Sequence, residues 1–213
     1  MKTIQVQLAE ELSGKSIEEI AHYFEQLPVG RPIDSLNWPD RFSLKPDCQF
    51  KIVRTKEKLY IRFDVKEKNI RAVYEKDQSP VYQDSCVEFF CKLPGEKMYY
   101  NFEFNCIGTC SAGKRESRTE NLHPLNESQL SQIERFSSLK RIAFEEKSGL
   151  FEWNLTVGLP LKLIHAENAA KLSANFYKCG DKTREPHYLS WNPVLTEKPD
   201  FHRPEFFGEL EIM

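Results

Sequence analysis

Apolar residues recur at Ile17, Ile20, Ala21, Phe24 and Leu27, a spacing that predicts a helix over Ser16 to Leu27. Ser16 and Glu19 stand at capping-box spacing at its start, and Pro28 ends it because the ring cannot continue the ladder. After the turn-rich stretch Val29 to Pro39 the period falls to two. Cys48, Phe50 and Ile52 alternate with Gln49 and Lys51, then Leu59, Ile61, Phe63 and Val65 alternate with Tyr60, Arg62, Asp64 and Lys66. The pattern predicts further strands over Tyr82 to Cys91, Tyr99 to Cys106, Leu139 to Phe144, Leu150 to Val157, Leu172 to Tyr177, His187 to Trp191 and Phe207 to Ile212. About nine strands with few helices between them predict an all-β fold, an antiparallel β-sandwich with a short N-terminal helix. Residues 1–30 are expected as a helical extension and residues 31–213 as one sandwich domain. The polar stretch Gly113 to Ser138, with a hint of helix at Leu130 and Ile133, reads as a long loop across one end.

The richest stretch runs from Val81 to Gly108. Its two halves flank Pro94-Gly95 and form a hairpin. Val87, Phe89 and Cys91 point one way and Tyr82, Asp84, Cys86, Glu88 and Phe90 the other; Tyr100, Phe102, Phe104 and Cys106 oppose Asn101, Glu103 and Asn105. Because apolar must meet apolar, Phe89 pairs with Phe102 and Val87 with Phe104, which sets Glu88 opposite Glu103 and Cys86 opposite Asn105; a register shifted by two residues is the alternative. Facing carboxylates repel, so Arg62 on another strand, a shared proton, a bound cation or ligand hydroxyls must neutralise them. The ordinary reading of such a face is the wet side of a sheet. This one has no lysine, however, and mixes Tyr82, Phe90, Asn101 and Asn105 with acids, the combination that grips a neutral, hydroxyl-rich ligand.

Composition narrows the partners. The 213 residues are 40% hydrophobic and 29% charged, enough for a single core. A formal charge of −2 gives no long-range attraction to polyanions, so neither nucleic acid nor membrane is an expected partner. No apolar run approaches the roughly 20 residues of a membrane span, and the opening MKTIQVQLAEEL turns acidic before a signal-peptide core develops, so a cytoplasmic location is expected. The six cysteines contain no Cys-x-x-Cys, and Cys106 and Cys110 have no His at ligand spacing. Free core thiols are expected, with no metal site and no cofactor.

Tyr82-Gln83-Asp84-Ser85-Cys86-Val87-Glu88-Phe89-Phe90 resembles the aromatic, D-S-V-E, F strand of carbohydrate-binding module family 9 and the wider DOMON-like sandwiches. Pro32 to Trp38 is similar to the I-D-x-x-W opening of that family. Leu189-Ser190-Trp191 and Phe201-His202-Arg203-Pro204-Glu205-Phe206-Phe207-Gly208-Glu209-Leu210 resemble its closing pattern. The resemblance spans roughly Ile33 to Met213 and implies non-catalytic binding of a sugar end or small oligosaccharide between two aromatic rings, above polar side chains on the sheet. It places Tyr82 and Phe201 at the stacking positions, Glu88 at the acid and Asn105 at an asparagine; Glu103 stands where the family has a basic residue. The resemblance also brings structural calcium, for which no ligand set is matched here.

Asn175 and Tyr177 either join this face or meet solvent, and His202 either contacts ligand or serves a loop salt bridge. Trp153 reads as core, Trp191 as packing, Trp38 as a closure of one end, and Lys178 to Lys182 as a turn. Other functions remain open: a glycoside-acting enzyme using Asp84, Glu88 and Glu103, a haem or redox DOMON-like domain ligated through Met98 or His, or a protein-interaction domain.

Overall fold

The computed structural model describes residues 1–212. Its strands are β1 (Thr3–Leu8), β2 (Arg31–Pro32), β3 (Ser35–Leu36), β4 (Asp47–Arg54), β5 (Lys58–Ala72), β6 (Cys86–Lys92) and β7 (Tyr99–Asn105). They continue with β8 (Cys110–Arg115), β9 (His123–Pro124), β10 (Glu134–Ser137), β11 (Phe144–Pro160), β12 (Lys171–Cys179), β13 (Tyr188–Ser190) and β14 (Gly208–Ile212). The main path is β10-β11-β5-β4-β1-β14-β12-β6-β7-β8-β9, one sheet curled so that its two halves pack as a sandwich. Pairing is antiparallel except at β1, which runs parallel to β14 over Thr3 to Val6 and to β4 over Gln7 to Leu8. The first residues therefore stitch the halves together, in addition to carrying the predicted helix.

That helix, α1 (Ile17–Gln26), starts as its capping box dictates: Glu19 N–H donates to Ser16 Oγ at 3.2 Å and Ser16 N–H donates to the Glu19 carboxylate at 2.8 Å. Ile20 and Phe24 pack with Leu12, Val53 and Tyr60 on the outside of β4 and β5. Its last carbonyls are taken by Lys51, whose Nζ reaches Phe24 O at 2.8 Å and Leu27 O at 3.2 Å.

Between the halves lie Phe50, Phe63, Val87, Phe89, Phe102, Phe104, Leu155, Val157 and Phe176, all fully buried. Phe50 of one half stacks on Phe176 of the other with centroids 3.6 Å apart. Trp191 packs edge-on to both, and Trp153 is core. The six cysteines are free and buried. The predicted hairpin register holds, Phe89 against Phe102 and Glu88 against Glu103, turning at Gly95 with φ +84°.

Four expectations are corrected. The strand expected over Tyr82 to Cys91 begins only at Cys86, and Val81–Gln83 form a 3-10 turn before it. Leu139 to Ala143 is loop, and the strand that begins at Phe144 is 17 residues long. Gly113 to Ser138 is not one loop: it holds the end of β8, then β9, a short helix α2 (Glu127–Leu130) and β10. Lys178 and Cys179 end β12, so they precede the turn they were expected to form.

Candidate functional site

The outer face of β6, β7 and β12, read from sequence as an open polar face that grips a ligand, is largely covered. Cys86, Phe90, Tyr99, Tyr177, Cys179, Val194, Phe201 and Phe207 form a second apolar cluster there, roofed by the chain after β12 and by Trp38 and Tyr188. Alternation correctly separates the two faces; it does not reveal that a loop without periodicity comes back to roof one of them. The roof leaves a gap. A cavity of about 370 Å³ opens over the sheet, with Glu88 of β6, Glu103 of β7 and Cys179 of β12 in its lining.

Glu88 and Glu103 are direct cross-strand partners, 3% and 6% exposed. Burial, and after it the Glu103 charge, pushes Glu88 well above the usual carboxylate range, against a 3.1 Å hydrogen bond from the Cys179 thiol. Burial likewise raises Glu103 to about 7, opposed by Arg115 and by a 3.0 Å hydrogen bond from Asn101. A third lining acid, Asp181, is raised to about 6 by burial, against a Tyr188 hydrogen bond and Arg118. His202 goes the other way, to about 3, because burial and then Arg115 and Arg118 disfavour its cation. The floor thus offers carboxyl groups that carry protons near neutral pH and both donate and accept hydrogen bonds.

Tyr82, Glu88, Glu103, Phe201 and His202 all border this cavity. Tyr82, on a 3-10 turn over Val81–Gln83, is 36% exposed and presents a free ring. Phe201 is 8% exposed and stacked on Tyr177 at 4.2 Å, so one face of its ring belongs to the apolar cluster. His202 shares a 2.9 Å hydrogen bond with the Tyr99 hydroxyl.

The other three expected residues are elsewhere. Arg62 lies on β5 in the opposite half and donates to Ala21 O at 2.9 Å and Asp64 at 2.8 Å; it docks α1 and cannot neutralise the acid pair. Asn105 is fully buried and ties Asp84, Tyr74 O and Thr109 N–H together. Asn175, also fully buried, links the Asn192 backbone to β12.

Sequence reasoning missed Arg115, Arg118, Asp181 and Tyr188, which also line the cavity. Arg115 and Arg118 sat in the segment read as loop, and their one signal was the basic run Lys114, Arg115, Arg118 facing an acidic strand pair. Arg115 donates to Asn101 at 2.8 Å, so a chain from Arg115 through Asn101 reaches Glu103.

Asp84 of the D-S-V-E stretch and the nearby Asp77 do not fit calcium. Asp84 accepts from Val73 N–H, Tyr74 N–H and Asn105 and pairs with Arg71; Asp77 is held by Arg135, Arg141 and Cys110 N–H. Their oxygens are committed to the protein's own donors, whereas calcium takes six to eight oxygen ligands. Among the described residues no helix is long and apolar enough to cross a membrane.

A family model for carbohydrate-binding family 9 matches residues 19–212. No curated protein matches the chain. Among solved structures, a candidate carbohydrate-binding protein from Bacteroides uniformis is 33% identical over 100% of this chain and 99% of its own, with a TM-score of 0.92. A family 9 carbohydrate-binding module from Caldicellulosiruptor kristjanssonii in complex with glucose is 13% identical, covers 100% and 96%, and has a TM-score of 0.54. The cellotriose complex of a family 9 module from the same organism, also 13% identical, covers 99% and 93% with a TM-score of 0.59.

Proposed function

The chain belongs to carbohydrate-binding family 9, and on that premise we propose that its outer-face cavity binds the end of a sugar chain or a small saccharide without turning it over. One observation carries the reading: the free Tyr82 ring stands at a cavity whose floor is the buried Glu88 and Glu103 pair. A sugar presents an apolar C–H face and a rim of hydroxyls. The ring takes the first; the protonated carboxyls and the Arg115 and Arg118 donors take the second. Two structures of similar fold hold glucose and cellotriose. Here the grip is one-sided, because the Phe201 ring is largely committed to Tyr177 and offers little beyond an edge.

The cavity volume suits one or two sugar rings. A ligand of that size, held mainly by one ring, binds in the range of ~10 μM to millimolar. Calorimetric titration with a panel of mono-, di- and trisaccharides tests this. Heat from at least one of them, lost in Tyr82→Ala, is expected. Silence from every sugar overturns it, and hydrolysis of aryl glycosides abolished by Glu88→Gln replaces it with an enzyme.

A further inference from the structure

The cavity floor holds a cluster that sugar binding does not explain. Cys86 opens β6 and Cys179 closes β12, and the two are direct partners across the ladder although 93 positions separate them in sequence. Glu88, two residues beyond Cys86, leaves the same face of the strand. The two sulfurs and a Glu88 carboxylate oxygen all lie within 4.8 Å of one another, with Cys179 Sγ 3.1 Å from Glu88 Oε1. We propose that Cys86, Cys179 and Glu88 form a site for one thiophilic divalent cation of the Zn²⁺ class, held by two thiolates and a carboxylate, with its fourth position open to the cavity.

The donor chemistry selects the ion. Two sulfurs and one oxygen suit zinc and not calcium or magnesium. A tetrahedral zinc with Zn–S about 2.3 Å and Zn–O about 2.0 Å separates its sulfur and oxygen by about 3.5 Å, so the observed 3.1 Å needs an adjustment of a few tenths of an ångström.

The other carboxyl groups facing the trio are Glu103 from β7 and Asp181 from the following turn. Of the cations, Arg115 faces it across the cavity, and Lys178 points to the opposite side of β12, where it pairs with Glu67 at 2.8 Å. The ion replaces weak contacts: Cys86 has the Val87 carbonyl at 3.7 Å, Cys179 has the Tyr82 carbonyl at 3.7 Å and Glu88, and the two thiols hydrogen-bond each other. As the cation binds, each thiol and the Glu88 carboxyl release their protons to water through the cavity, and a water or ligand hydroxyl completes the tetrahedron. Linear spacing hides the site because strand pairing, not a local motif, assembles it.

The test uses the reduced, metal-stripped full chain titrated with Co²⁺ and then Zn²⁺, with no sugar present. One equivalent of Co²⁺ is expected to give thiolate-to-cobalt charge-transfer absorption and tetrahedral visible bands that Zn²⁺ abolishes. Cys86→Ser and Cys179→Ser are each expected to weaken binding by more than the ~10- to 100-fold that loss of an outer partner costs. Cys48→Ser, buried in the other half, leaves it unchanged. If the serine variants do not fold, zinc-edge absorption of the wild type decides: two sulfurs at ~2.3 Å support the site, and nitrogen and oxygen ligands alone overturn it. Absence of charge transfer at millimolar Co²⁺ also overturns it. Because the assay contains no saccharide, its failure leaves the sugar reading standing, and failure of the sugar titration leaves this one standing.

Discussion

Glu88 and Glu103 face one another across the β6–β7 ladder, both buried, and neither is in ion-pair contact with a lysine or arginine among the described residues. The fold tolerates the pair by keeping protons on it. An acid whose folded pKa is raised stays protonated after the unfolded chain has ionised, so the stability it supports is full below the ordinary carboxylate pKa. That stability is lost as pH rises toward the folded value. For Glu103 the window runs from about 4.5 to about 7.

Wild-type protein is therefore expected to lose stability between pH 5 and pH 8, on the order of 2 kcal/mol from this group. Glu103→Gln, which is permanently neutral, flattens that part of the slope and is the more stable form at pH 8. Urea denaturation of both proteins at the two pH values measures it. An unchanged difference between pH 5 and pH 8 in the variant rules out the explanation.

Arg62 on β5 and Lys51 on β4 are cross-strand partners, and both donate to backbone carbonyls of α1, Arg62 to Ala21 in its middle and Lys51 to Phe24 near its end. Arg62→Met removes the donor to Ala21 O and leaves Asp64 without its 2.8 Å partner. A stability loss of about 1–3 kcal/mol is expected, with saccharide affinity unchanged because the residue is on the other half of the sandwich. Denaturation and calorimetry on the same preparation read both quantities. A variant that loses affinity but not stability would return Arg62 to the binding site.

The contrast between Arg62 and Glu103 marks what was legible. Alternation and the need to match apolar residues narrowed the hairpin to two registers, one of them the observed register with its Glu88–Glu103 contact, whereas Tyr82 reaches their side from a 3-10 turn and not from the strand it was expected on. They say nothing about which half of a sandwich an outward Arg occupies, since every strand has an outward face. The roof over β6 and β7 was illegible because residues 192–206, beyond the short strand β13, carry turn residues and isolated aromatics without a period. Asn105 and Asn175 consequently read as amides free to meet a ligand, when they are the buried posts that hold the Asp84 corner and that roof in place. Strand β1 was readable in principle, with Ile4 and Val6 alternating against Thr3, Gln5 and Gln7, but its parallel pairing joins segments some 200 residues apart in the chain.

The closing F-G-x-L pattern has a steric basis at Gly208. A Cβ there would meet the Trp191 ring and come within 2.7 Å of Lys2 O, just before β1 begins its parallel pairing with β14. Gly208→Ala must push apart the core tryptophan and the strand that joins the two halves. A loss of about 1–3 kcal/mol is expected, visible as a lower denaturation midpoint with the binding stoichiometry of the folded fraction preserved. An alanine variant as stable as wild type would show that the contact relaxes freely.

Lys178 is 0% exposed and points between the halves, where its Nζ lies 2.8 Å from Glu67 and 2.9 Å from His187 Nε2. Burial works against its charge, yet Glu67 beside it holds its pKa above the ordinary value. Burial, and then Lys178, drives His187 down to about 3, so the imidazole is neutral. Glu67 also accepts from the Trp153 indole at 2.7 Å, which makes it the hub of a buried inter-sheet network. Lys178→Met leaves that carboxylate buried without its cation and is expected to cost ~3–5 kcal/mol. Glu67→Gln added to it removes the stranded charge while keeping an acceptor for Trp153, so the double variant is expected to regain a large part of the loss. A double-mutant cycle by chemical denaturation measures the coupling. Simple additivity of the two substitutions would mean that the pair contributes packing alone, and that the charge on Lys178 has no part in holding β5 against β12.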